Sequence, residues 1–123
     1  MSYRNLEIYR EAMSLFFRIH ALSLKLPKYE LYELGSQIRR SADSVVSNIV
    51  EGYGRNVYKA EFLKFLIYAH SSNDETISHI FKIKHLYPEH TVEIQCLEHE
   101  YNQLGAKINK FIQYVRTNWN DKK

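Results

Sequence analysis

One cysteine, two prolines and four glycines are all that the 123-residue sequence holds of the residues that cross-link or break a chain. A single Cys excludes a disulfide framework and a four-cysteine zinc site. So little Gly and Pro leaves too few turn signals for an all-β domain, which needs one about every 8–12 residues. No apolar run is long: residues 65–69 are the longest, against the roughly 20 that a membrane span requires. Neither sign of charge dominates, since 17 Lys+Arg against 14 Asp+Glu give +3. That balance permits a polyanionic partner without demanding one. The N-terminus carries Arg4, Glu7, Arg10 and Glu11, unlike a secretory signal. These absences lead us to expect one soluble, cytoplasmic domain with no membrane role.

What is present is a core. Apolar residues make up 45% of the chain and aromatic residues 14%, far from a disordered composition. Pro27, Pro88 and the glycines at 52 and 54 divide the sequence into four segments of helical length. The spacing predicts helices over about 5–26, 30–52, 58–87 and 91–118. In the first, Ile8, Ala12, Leu15, Ile19, Leu22 and Leu26 recur at steps of three and four, the signature of a 3.6-residue period. A second stripe, Leu6, Tyr9, Met13, Phe16 and His20, runs beside it. Leu31, Leu34, Ile38, Val45 and Ile49 mark the second segment, with Gly52 and Gly54 placed as a C-cap. The third carries Phe62, Leu66, Ala69, Asn73, Thr76, Ile80, Ile83 and Tyr87, begins beside a capping Asn56, and turns polar at its middle. The fourth carries Ile94, Leu97, Tyr101, Leu104, Ile108, Phe111 and Val115. Short breaks between long amphipathic helices predict an all-α, antiparallel up-down-up-down four-helix bundle over residues 1–119. The tail at 120–123 is expected to fray.

Chemistry-bearing patterns are sparse. Bundles that hold two metals use Glu-x-x-His pairs, and no Glu here has His three residues on. Cys96 and His99 share a face but are too few to bind zinc. There is no Gly-rich phosphate loop and no strand-turn-helix elbow for a nucleophile. We expect no cofactor, no metal and no enzymatic activity.

The most distinctive stretch is Gln37 to Gly52. Arg40, Ser44, Ser47 and Glu51 share a helical face, with Asn48 adjoining, while Ser72 and Glu75 lie at the middle of the third segment. A charge near a core face is costly unless paired. Arg40 is therefore expected to pair with Glu75 or Glu51, with Asn48 and Ser72 completing a network that sets helix register.

The same residues carry a resemblance. The order Gln37-Ile38-Arg39-Arg40, Ala42, Ser44, Asn48-Ile49, Glu51-Gly52, then Tyr58-Lys59 and Phe62, Phe65, Leu66, Ala69, Ser72 and Glu75, resembles the bacterial four helix bundle protein family. Its members include proteins encoded by intervening sequences in 23S ribosomal RNA genes, also called the S23 ribosomal protein family. Val50, Val57 and Ser71 depart from the usual pattern without touching the polar positions. The resemblance implies a bundle assembled as a homopentamer, with no established catalytic activity. The sequence is also similar to the accessory variability protein of diversity-generating retroelements, a basic pentameric barrel that binds nucleic acid and its reverse transcriptase.

Two roles follow as expectations. One is binding of structured RNA or DNA through Arg55, Lys59, Lys64, Lys82, Lys84, Lys107, Lys110 and Arg116, with Tyr53 and Tyr58 placed to stack on bases. The other is a protein-interaction scaffold, favoured by ten Tyr residues. Tyr9, Tyr68 and Tyr101 lie on apolar stripes and are expected to bury their rings with wet hydroxyls. Net charge by segment is +2 for 1–27, −1 for 28–54, +2 for 55–87 and 0 for 88–123, so no segment stands out as a binding arm.

Overall fold

The helical periodicity takes shape in a computed structural model that describes residues 2–122. Its long helices are α1 (Glu7–Leu24), α2 (Leu34–Gly54), α3 (Lys59–Leu86) and α4 (Thr91–Asn118). Short 3-10 turns at Tyr3–Asn5, Lys28–Glu30 and Pro88–His90 fill the connections. Among the described residues there is no strand, and no helix is long and apolar enough to cross a membrane.

The apolar stripes turn inward. Ile19, Leu22, Ile38, Ile49, Phe62, Leu66, Ile80, Ile83, Ile94, Leu97 and Ile108 are fully buried in one cluster that draws on all four helices. Each such side chain stabilises the fold by about 1.5–3 kcal/mol relative to exposure. The second stripe of α1 is half in. Tyr9, Met13 and Phe16 pack against the core, while His20 is exposed. On α4, Ile112 is buried and Phe111 only partly so. A 3.6-residue helix drifts past the strict three-four seam, which explains the exchange.

Side-chain pairs show which parts of the helices meet. Glu7 and Glu11 near the start of α1 meet Lys107, Arg18 meets Glu100, and Lys25 meets Glu93. Ser41 reaches Thr76 and Ser44 reaches Ser72. Partner numbers fall as the first numbers rise.

Several local expectations change. The second helix begins at Leu34, not Glu30, because Glu30 is buried and its carboxylate turns inward. It accepts from the Leu34 N–H at 3.4 Å and from the Tyr87 hydroxyl, and the latter bond pushes the Tyr87 phenol well above its usual range. Gly52 is not a C-cap: α2 runs through to Gly54, and no glycine has positive φ among the described residues. Gly52 lets α2 approach α3, since a Cβ there would lie 3.0 Å from the Phe65 Cβ. Asn56 does not cap α3. Asp121 does so, accepting from the Lys59 N–H at 2.8 Å. The expected frayed tail is therefore docked. The Lys122 N–H donates to the Val57 carbonyl at 2.9 Å, and the Trp119 indole N–H donates to the Asn56 carbonyl at 2.8 Å. Lys123 lies outside the described residues.

Candidate nucleic-acid interface

The polar middle of α3 is built into the bundle. Thr76 Oγ1 bonds Ser41 Oγ at 2.9 Å, Ser44 and Ser72 share a hydrogen bond of 2.8 Å, and Asn48 Nδ2 donates to Ser44 Oγ at 2.9 Å. Buried hydroxyls paired across two helices satisfy themselves and fix the register. The expected Arg40 pair does not form. Glu51 holds Arg55 instead, one helical turn on, and Glu75 approaches His79. Arg40 is exposed and has no ion pair among the described residues. Gln37, Arg40, Ser41, Ser44, Glu75 and His79 line an open polar cleft of about 310 Å³. Burial holds the His79 imidazole below its ordinary pKa, with Lys82 adding to the effect and Glu75 opposing it.

Other polar groups also turn inward. Arg39, not Arg40, does structural work: it donates to Ser23 Oγ at 2.9 Å and to the Leu31 carbonyl at 2.6 Å. Asn73 is fully buried and donates to the Tyr101 carbonyl at 2.9 Å. Tyr101 buries its ring as expected, but its hydroxyl is buried too, without a partner, and burial pushes the phenol well up. Tyr68 is 48% exposed, contrary to expectation. Cys96 is exposed as well. Among the described residues no cluster of His, Cys, Asp and Glu is placed to hold a metal ion.

The candidate cations have different fates. Arg55 is held by Glu51 and Glu61 and lies over the Phe65 ring; the Glu51 bond, then that to Glu61, raises its pKa further. Lys64 pairs with Glu61, whose carboxyl it holds below the usual range. Lys84 pairs with Glu98. Lys107 is clasped by Glu11 and Glu7, which raise its pKa in that order. Lys59 donates to the Arg116 carbonyl at 2.6 Å. Lys82, Lys110 and Arg116 are exposed and have no ion pair among the described residues. Tyr58 is 62% exposed. Tyr53 is half-buried, and its ring makes a T-shaped contact with Phe62.

Contacts then bring distant segments to one place. The Phe62 ring at the start of α3 meets Tyr53 of α2 and Phe111 of α4, and beyond α4 Trp119. Lys107 ties the start of α1 to the same end of α4. Around this aromatic cluster, segments 2–11, 51–64 and 107–122 hold nine of the 17 Lys+Arg but five of the 14 Asp+Glu. They include Arg4, Arg10 and Lys122, which charge reading along the chain passed over. The other described residues carry an excess of acid. Six of the eight candidate cations are united by place. Only Lys82 and Lys84 lie away from this end.

A family model described as 23S rRNA-intervening sequence protein matches residues 4–110. No curated protein matches the chain.

Proposed function

From the premise that the chain belongs to the 23S rRNA-intervening sequence protein family, we propose a non-catalytic module that binds structured RNA or DNA through the basic end of the bundle. The observation that carries the reading is the gathering of nine cations against five carboxylates where α1 starts, α3 starts and α4 ends. Phosphate contacts from such a surface give affinity and strong salt dependence. Lys110 and Arg116 are the leading contacts, because no carboxylate already neutralises them. Tyr58 adds an exposed ring beside them.

The proposal includes the arrangement of the bundle and its assembly. The falling order of partners along each helix pair supports an antiparallel, up-down-up-down bundle. Exposed Phe17 and Leu24 on α1 and Phe81 on α3 support a homo-oligomer, since large apolar side chains on outer faces suit interfaces. Five copies, as the family resemblance implies, would multiply the field of the basic end and its pull on a polyanion. The setting in which such a module meets nucleic acid is the cytoplasm. The same exposed rings favour the second reading, a scaffold for a protein partner.

Fluorescence anisotropy of a labelled ribosomal RNA stem-loop and a matched DNA duplex, at about 50 and 200 mM salt, tests the reading. Binding should weaken steeply with salt. Lys110→Ala and Arg116→Ala should each lower the salt slope by about one, while Lys84→Ala leaves it unchanged. Absence of binding at low salt would refute the nucleic-acid reading and favour the scaffold. Light scattering gives the subunit number directly, as a multiple of 14.7 kDa.

A further inference from the structure

At the basic end α1 and α4 part to leave an open cavity of about 380 Å³. Its walls include Leu6, Glu7, Ile8, Lys110, Phe111 and Tyr114, with Asn5 and Lys107 beside them. Leu6 and Ile8 are buried and form an apolar floor. Phe111 and Tyr114 stack with ring centroids 6.1 Å apart and planes at 21°. Tyr114 lines the cavity and is 50% exposed. Glu7 and Glu11 already neutralise Lys107, but Lys110 stands on the rim with no ion pair among the described residues.

We propose that this cavity receives one unpaired nucleobase, with the ring against Tyr114 and the adjoining phosphate on Lys110. The inference rests on the basic end being a nucleic-acid surface, and it narrows that surface to nucleotides free of pairing. A duplex offers base edges in its grooves and keeps base faces stacked away. A loop or bulge can splay a base onto an aromatic side chain. The cavity has the size at which small-molecule sites begin, roughly 300 Å³. A flat apolar ring attached to an anion matches an apolar slot with one free cation on its rim. An apolar protein side chain would use the slot and leave Lys110 idle.

The probes are a labelled stem-loop and a blunt duplex of equal phosphate count, each made in ribose and deoxyribose forms. Base stacking contributes about 5- to 100-fold in affinity per base. Tyr114→Ala should lower stem-loop affinity within that range while duplex affinity and both salt slopes stay unchanged. Tyr114→Phe should retain stem-loop binding. Lys110→Gln should weaken both probes and reduce each salt slope by about one. Comparing the two sugar forms identifies which nucleic acid supplies the base. Equal losses on both probes in Tyr114→Ala, or no loss on either, would overturn the base-pocket assignment and leave the basic end standing. Failure of every probe to bind at low salt would remove the basic-end reading and the pocket with it. Since Tyr114 is half exposed, its variants should melt like the parent, which circular dichroism checks.

Discussion

Gly105 sits on α4 opposite Asn73 of α3, and replacing it with Ala sets two effects against each other. A Cβ at this position would lie 2.9 Å from Asn73 Nδ2. That amide already donates to the Tyr101 carbonyl at 2.9 Å and is fully buried, so it has no route to solvent. Helix propensity favours Ala over Gly by about 1 kcal/mol. Overpacking costs about 1–3 kcal/mol, and a buried donor pushed off its partner costs about 1–3 kcal/mol more. Packing wins, and Gly105→Ala should destabilise by roughly 1–5 kcal/mol. With an unfolding entropy near 2.1 cal/mol/K per residue, each kcal/mol is about 4 °C for a chain of this length, so Tm should fall by about 4–20 °C. The double-mutant cycle sharpens the test. In an Asn73→Ala background the obstacle is gone, and Gly105→Ala should raise Tm through helix propensity alone. The coupling energy from thermal and urea unfolding should be about 2–6 kcal/mol. A rise in Tm from Gly105→Ala alone, or the same change in both backgrounds, would refute the close approach of α3 and α4 at this point.

Two further predictions concern a buried base and the docked tail. The His79 pKa is lowered in the fold, so the unfolded chain takes up its proton first as pH falls. The stability it contributes is complete above about pH 6.5 and is lost below it. The parent should therefore lose more Tm than His79→Gln between about pH 7 and pH 5, and parallel melting curves would contradict the burial of this imidazole. Asp121→Ala removes the cap on the first α3 N–H and should cost about 1 kcal/mol, with Asp121→Asn keeping most of it; an unchanged Tm would return the tail to a frayed state.

The helices were legible because their signal is local. Steps of three and four apolar residues located α3 and α4 to within a residue or so of their ends. Capping was less legible because the partner comes from far along the chain. Asn56 has the right chemistry at the right place, yet its backbone carbonyl serves Trp119 while Asp121 takes the cap. The Arg40 pairing failed for a related reason. Glu51 has a cation one helical turn away in Arg55, and a local partner costs less chain entropy than one on another helix. The inward roles of Arg39 and Glu30 depend on the 3-10 turn at Lys28–Glu30, which helical periodicity read as the start of α2.

The candidate interface was hidden from charge reading because each long helix contributes to more than one region of the surface. Segment totals of +2, −1, +2 and 0 look featureless. Each segment, however, contributes one part to the end built around Phe62 and another part to the opposite end. Summing along a helix therefore averages the two ends of the molecule. The basic half of the last segment, Lys107 to Lys123, is cancelled on paper by Glu89, Glu93, Glu98 and Glu100. In space three of those acids have partners elsewhere: Glu93 and Glu98 face Lys25 and Lys84, and Glu100 faces Arg18. A phosphate approaching Lys110 lies within a Debye length of about 8–10 Å of its near neighbours, and more distant charges are largely screened. The field that steers a polyanion is thus the charge of one end of the bundle, and the formal +3 of the chain understates it.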